Sequence, residues 1–274
     1  MGQAEFLWPG ENAVIPVDDR GLTYGDGLFE TLRVTGHGPV LLEAHRDRLL
    51  AGCRALAIPF DQSLFEHWRE EASRRGLLNA QGDEHQVLRL MVTRGSGGRG
   101  YRPPTDVVPR VITVLSSAPP LPKAPVSAVT LEQPMTVPPH RQGIKTLERL
   151  DQVQASLELP SDVFEGLMAD QSGELLEGTR TNLILVKGHR IVTPVRSRLA
   201  VAGTLRDSLI RDLPGRGYQV EEAPISRAQL MEGGLMLVNS VIGAAIVGVL
   251  DGQPLPFVGE AEAMQEWIVN EYGY

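Results

Sequence analysis

Only three of the 26 basic residues in this 274-residue chain are lysines, Lys123, Lys145 and Lys187; the rest are arginines. In so lysine-poor a chain each lysine is informative, because an amine can form an imine with an aldehyde and a guanidinium cannot. Lys123 falls in the proline-rich run SAPPLPKAP and Lys187 in the turn Lys187-Gly188-His189-Arg190, both solvated settings. Lys145 stands directly before the repeat Leu147, Leu150, Val153, Leu157, which predicts a helix from Leu147 to Glu158. The electropositive start of a helix would disfavour its protonated form and leave the free amine that imine chemistry needs. A surface ammonium is the competing reading.

Other segments offer complementary groups. Glu174 to Leu183 places a carboxylate, a hydroxyl and an amide in a short irregular stretch, where a carboxylate could pair with a protonated ring nitrogen or simply belong to a polar connector. Val201-Ala202-Gly203-Thr204-Leu205-Arg206 opens a helical pattern and could offer N–H groups to a phosphate, or be an ordinary N-cap by Thr204. Gly95-Ser96-Gly97-Gly98-Arg99-Gly100 matches the dinucleotide fingerprint in letters, but Tyr101-Arg102-Pro103-Pro104 forbids the helix that fingerprint requires. It reads instead as a glycine-rich loop, either mobile or presenting Arg94, Arg99 or Tyr101 to an anion.

Some chemistry is excluded. The six histidines show no H-E-x-x-H or H-x-x-x-H spacing and Cys53 is the only cysteine, so neither a metal site nor an intrachain disulfide is expected. Cys53 sits in a helical apolar stripe and reads as core. The net charge of −8, without a basic block, argues against nucleic acid. No targeting signal is visible, and the apolar region Gly234 to Leu250 is broken by Asn239, Ser240 and glycines, as in buried strands. A soluble, cytoplasmic protein with no membrane partner is expected.

These groups must be held by elements. Alternation predicts strands at Ala13 to Val17, Phe29 to Val34 and, after a Gly36-His37-Gly38-Pro39 turn, Val40 to Glu43. Helices follow at Ala44 to Ala57 and Gln62 to Leu77, then strands at Gln86 to Thr93 and Arg110 to Ser116. Beyond the proline-rich run come strands near Val126 to Glu132, Val163 to Ala169, Thr181 to Val186 and Leu235 to Val238, with helices at Leu205 to Leu213 and Ala261 to Asn270. The expected organisation is α+β, with domains at 1–117 and 126–274 joined by residues 118–125.

Taken in order, Asp19-Arg20-Gly21 with Tyr24-Gly25-Asp26-Gly27-Leu28-Phe29-Glu30, His45-Arg46-Asp47-Arg48-Leu49, Gly143-Ile144-Lys145, Glu177 to Leu183 and Val201 to Arg206 resemble the fold-type IV pyridoxal-5′-phosphate (PLP) enzymes over nearly the whole chain. That family includes branched-chain aminotransferases, D-amino acid aminotransferases and aminodeoxychorismate lyases. The resemblance implies a smaller N-terminal α/β sandwich and a larger C-terminal β-barrel-like domain with flanking helices, assembled as a homodimer. It implies Lys145 as the imine-forming residue, Glu177 as partner of the pyridine nitrogen, and Arg48, Thr204, Leu205, Ser240 and Val241 as the phosphate site. Thr31 is a candidate for assisting proton transfer, and Arg99, Tyr101 and Arg94 are candidates for gripping a small-molecule substrate. The run Arg94 to Tyr101 looks like the loop of aminodeoxychorismate lyases. D-amino acid aminotransferases usually carry a histidine where Tyr101 stands and a tyrosine where Phe29 stands. The implied activity is a lyase of folate biosynthesis that forms 4-aminobenzoate and pyruvate, with an aminotransferase as the alternative. Ile184 in place of an aromatic, Thr204 in place of an aliphatic residue and Glu148 in place of an asparagine depart from the pattern.

Overall fold

The computed structural model describes residues 3–82, 84–256 and 259–274. Its contacts divide the chain into two compact units: residues 1–118 with 144–148, and 119–143 with 149–274. The return of 144–148 to the first unit has no counterpart in the expected boundaries.

In the first unit the elements run β1 (Glu5–Leu7), α1 (Arg20–Tyr24), β2 (Gly27–Thr35), β3 (Gly38–Pro39), α2 (Leu42–Ala55), α3 (Gln62–Arg74), β4 (Gln86–Thr93) and β5 (Arg110–Ser117). The strands form a sheet in the order β1-β5-β4-β2-β3. The two-residue period of β2 sends Leu28, Leu32 and Val34 into a core with Leu49, Leu50 and Cys53 of α2 and Phe65 and Trp68 of α3. Phe29 and Thr31 lie on the opposite face, beside their cross-strand partners Met91 and Arg89. Cys53 is fully buried, and burial pushes its thiol pKa up to about 12, as a core residue requires.

Two expected strands are absent. Ala13 to Val17 is irregular, with Val14 and Val17 exposed, because Pro16 removes a donor that strand pairing would use. No strand forms at Val40 to Glu43: the return pairing is the two-residue β3 just before it, Leu41 turns left-handed at φ 57° and α2 has already begun at Leu42.

The second unit runs β6 (Val126–Thr130), α4 (Leu150–Leu157), β7 (Glu165–Ala169), β8 (Leu175–Gly178), β9 (Asn182–Lys187), β10 (Arg190–Thr193), α5 (Thr204–Asp212), β11 (Gln219–Glu222), α6 (Arg227–Leu230), β12 (Gly234–Asn239), β13 (Gly243–Leu250), β14 (Gln253–Pro254) and α7 (Gly259–Tyr272). A curled mixed sheet follows the order β11-β10-β9-β12-β13-β6-β7-β8, with β14 on β13. Leu183, Leu185, Leu235, Leu237, Ala245 and Val247 meet in its core. Gly234 to Leu250 is therefore a strand pair. Among the described residues no helix is long and apolar enough to cross a membrane.

Candidate active site

Lys145 is positioned by a strand. Its carbonyl accepts the Phe29 N–H at 3.0 Å, Thr146 bridges Leu28, and the Leu147 N–H donates to Gly27 at 2.9 Å, so 145–147 is stitched along β2. The expected helix start lies elsewhere: α4 begins only at Leu150, and 144–148 run beside β2 instead. The helix-dipole argument for Lys145 therefore fails. Its Nζ lies 4.5 Å from the centroid of the Phe29 ring, as does the Arg89 guanidinium carbon. Thr31 is on the same face two residues on, roughly 7 Å along the strand.

On the helix-facing side of β2, Glu30 is a carboxylate among leucines. Burying it is costly without partners, and α2 supplies two, His45 and Arg48, which three-residue spacing brings onto one face. Glu30 Oε1 accepts Arg48 Nε at 2.9 Å, Oε2 accepts Arg48 Nη2, and His45 Nδ1 lies 2.5 Å from Oε2. A carboxylate only accepts, so His45 Nδ1 carries the proton. Burial would raise the Glu30 pKa, but Arg48 and His45 outweigh it and bring it to about 2; burial lowers that of His45 despite Glu30.

The glycine-rich loop is anchored by charge. Asp26 accepts Arg94 Nε at 2.7 Å and Arg20 Nε at 2.9 Å, while Arg94 also donates to the carbonyls of Leu56 and Ala57. Burial would raise the Asp26 pKa; Arg94 and Arg20 instead hold it below the ordinary carboxylate value. With its guanidinium spent on these groups, Arg94 is a strut, which corrects its expected place among the substrate contacts. Arg20 also donates to the carbonyls of Gly100 and Tyr101. The loop they shape leaves Arg99 exposed and Tyr101 87% exposed, its ring 5.6 Å from that of Tyr24. No helix follows the loop, as the prolines dictate.

In the second unit Glu177 is on a strand, β8, opposite Met168 of β7, where an irregular stretch was expected. It is buried, and its Oε2 accepts the Val201 N–H at 3.1 Å. Asn182 Nδ2 donates to the Val201 carbonyl at 3.0 Å. Glu165, fully buried, accepts from the backbone of Thr179 and the hydroxyls of Thr179 and Thr181, and so fixes the turn between Glu177 and Asn182.

The 201–203 segment ends at Gly203, the N-cap of α5, so Thr204 is the first helical residue and not the cap. A Cβ on Gly203 would lie 1.9 Å from Asn182 Oδ1. Arg206 locks the helix from within, donating to Thr193 Oγ1 and the Pro194 carbonyl and pairing with Glu222. Gly143, at φ +71° and against Ala202, exchanges hydrogen bonds with Leu199 and Ala202. Asn239 Oδ1 accepts from Val241 and Ile242 at 2.8 and 2.9 Å and shapes the turn that carries Ser240.

The first unit offers an amine and a fixed arginine, and the second a buried carboxylate and a helix start whose cap brings no side chain; each is a kind of group that a phosphorylated aldehyde with a ring nitrogen requires. The chain belongs to the class IV aminotransferase family, whose model matches residues 27–249. An aminodeoxychorismate lyase from Vibrio harveyi is 28% identical over 85% of this chain and 86% of its own length. The crystal structure of 4-amino-4-deoxychorismate lyase from Pseudomonas aeruginosa is 36% identical, with a TM-score of 0.84, covering 96% of this chain and 97% of that one. A PLP-bound structure described as a hypothetical aminotransferase from Mycobacterium tuberculosis is 26% identical, with a TM-score of 0.80, covering 96% and 94%.

Sequence reasoning named Lys145, Arg48 and Glu177 as candidates but did not name Glu30 as a partner of Arg48, nor Arg89 beside Phe29, nor Glu165. The signal for Glu30 was a carboxylate at a core-facing position of an otherwise apolar alternation; for Arg89, its place in the period of β4.

Proposed function

We propose that this protein is a PLP-dependent lyase that converts 4-amino-4-deoxychorismate to 4-aminobenzoate and pyruvate. The observation that carries the reading is Lys145, stitched to β2 beside Phe29, within a chain similar over nearly its whole length to the Pseudomonas aeruginosa lyase. By the resemblance, Lys145 would hold the cofactor through Nζ, Glu177 would keep its pyridine nitrogen protonated, and Arg48, Thr204, Leu205, Ser240 and Val241 would hold its phosphate. When bound, the cofactor supplies an electron sink for the carbon that bears the substrate amine. Once the substrate amine has taken its place on the cofactor, the released Lys145 Nζ would take the proton from that carbon, with Thr31 on the same strand face assisting. Loss of the enolpyruvyl ether as pyruvate leaves an aromatic ring. The substrate carries two carboxylates; Arg99, Tyr101 and the exposed Arg89 are the groups placed to hold them. Phe29, with no hydroxyl to pair with an amino acid carboxylate, favours the lyase over a D-amino acid aminotransferase. The resemblance further implies a homodimer, and the sequence reading places it in the cytoplasm.

The test is product formation without an oxo-acid acceptor. Purified protein with PLP should release equimolar 4-aminobenzoate and pyruvate, and Lys145→Arg should abolish both, since a guanidinium forms no imine. Glutamate formation from 2-oxoglutarate and D- or branched-chain amino acids, with no pyruvate from 4-amino-4-deoxychorismate, would make the protein an aminotransferase instead.

A further inference from the structure

We propose that Glu30 is the positioning residue of the phosphate site, holding the Arg48 guanidinium in one plane while His45 holds Glu30. The proposal rests on the cofactor reading above. An arginine side chain has many rotamers, and ordering it on binding costs free energy that a preorganised one does not incur. Here the Nε and Nη2 edge of Arg48 is taken by the two oxygens of Glu30, which fixes the plane and turns the Nη1 edge away from the carboxylate. His45 Nδ1, at 2.5 Å, prevents the carboxylate from rotating off that plane. All three groups are nearly sealed from solvent, with side-chain exposures of 2% for Glu30, 1% for His45 and 10% for Arg48. Water therefore competes little for the arrangement. Glu30 meets no substrate in this scheme; it acts through Arg48 alone.

The experiment compares the affinity of the protein for PLP with that for pyridoxal, which lacks the phosphate, by absorbance titration. The ratio isolates the phosphate contact from imine formation and from general damage. Wild type should favour PLP strongly, and Arg48→Met should remove most of that preference. Glu30→Gln should lower the ratio roughly tenfold with pyridoxal affinity unchanged, and should add nothing in the Arg48→Met background. Glu30→Asp keeps the buried charge count, so it remains testable if Glu30→Gln does not fold, and its shortened reach should lower the ratio by about threefold. Wild type binding both compounds equally overturns the cofactor reading and this proposal with it. If Arg48→Met loses the preference but the Glu30 variants keep the wild-type ratio, or weaken both compounds alike, Glu30 is no positioning residue while the cofactor reading stands.

Discussion

Glu30 and His45 make the first unit acid-sensitive, and the sign follows from their surroundings. Glu30 is held at about 2 against an ordinary 4.5, so its contribution to stability is complete above 4.5 and is lost as pH falls toward 2. His45 is held below its ordinary 6.5, so the unfolded chain takes up that proton first and destabilisation starts as pH drops through 6.5. Urea unfolding from pH 7 to 2 should show wild type losing stability in these two windows. Glu30→Gln should be less stable at pH 7 and should lose stability less steeply across the lower window; an unchanged acid slope would contradict the assignment. Of these residues only Arg48 carried a role in the sequence reading. A lysine in a lysine-poor chain and an arginine in a resembling motif are local signals. The partnership of Glu30 with His45 and Arg48 spans a strand and a helix 15 and 18 residues on, and no local pattern encodes it.

At the scale of elements, the start of α5 depends on a close approach that only glycine permits. An alanine Cβ at Gly203 would collide with Asn182 Oδ1 and push away the amide that holds the Val201 carbonyl. The backbone there is ordinary, at φ −64°, so the collision alone decides the outcome. Gly203→Ala should cost about 1–3 kcal/mol, read as a lower Tm, and should weaken PLP binding, read by titration; a variant with wild-type values for both would show the segment adapts freely. Helical periodicity made α2, α3 and α5 legible to within a few residues, because amphipathic packing is written every third or fourth position. The strand pairing was not legible: β1 lies beside β5 and β13 beside β6, contacts made across long stretches of chain. The helix expected at Leu147 failed for a related reason. Its apolar repeat is real, but the first of those leucines, Leu147, is pinned by its N–H to Gly27 of β2.

At the scale of the molecule, the first unit is not a continuous piece of chain. Residues 144–148 complete it, joining β2 through the Phe29, Thr146 and Leu147 backbone bonds and placing Ile144 against the α2–β2 core. A fragment ending at Ala118 therefore lacks a segment that hydrogen-bonds to the backbone of Gly27 and Phe29, and it also lacks Lys145. An unpaired buried amide costs free energy comparable to a lost hydrogen bond, so the Phe29 N–H should be the local reporter. Hydrogen exchange should find it protected in the whole protein and fast in the fragment 1–118. Joining 144–148 to that fragment through a flexible glycine-serine linker in place of 119–143 should restore protection at Phe29 and raise the Tm. Equal protection in both fragments would mean that β2 is stable without the lysine segment. In that case Lys145 is docked on a finished sheet; otherwise the segment that carries the proposed imine-forming lysine is also part of what folds the unit.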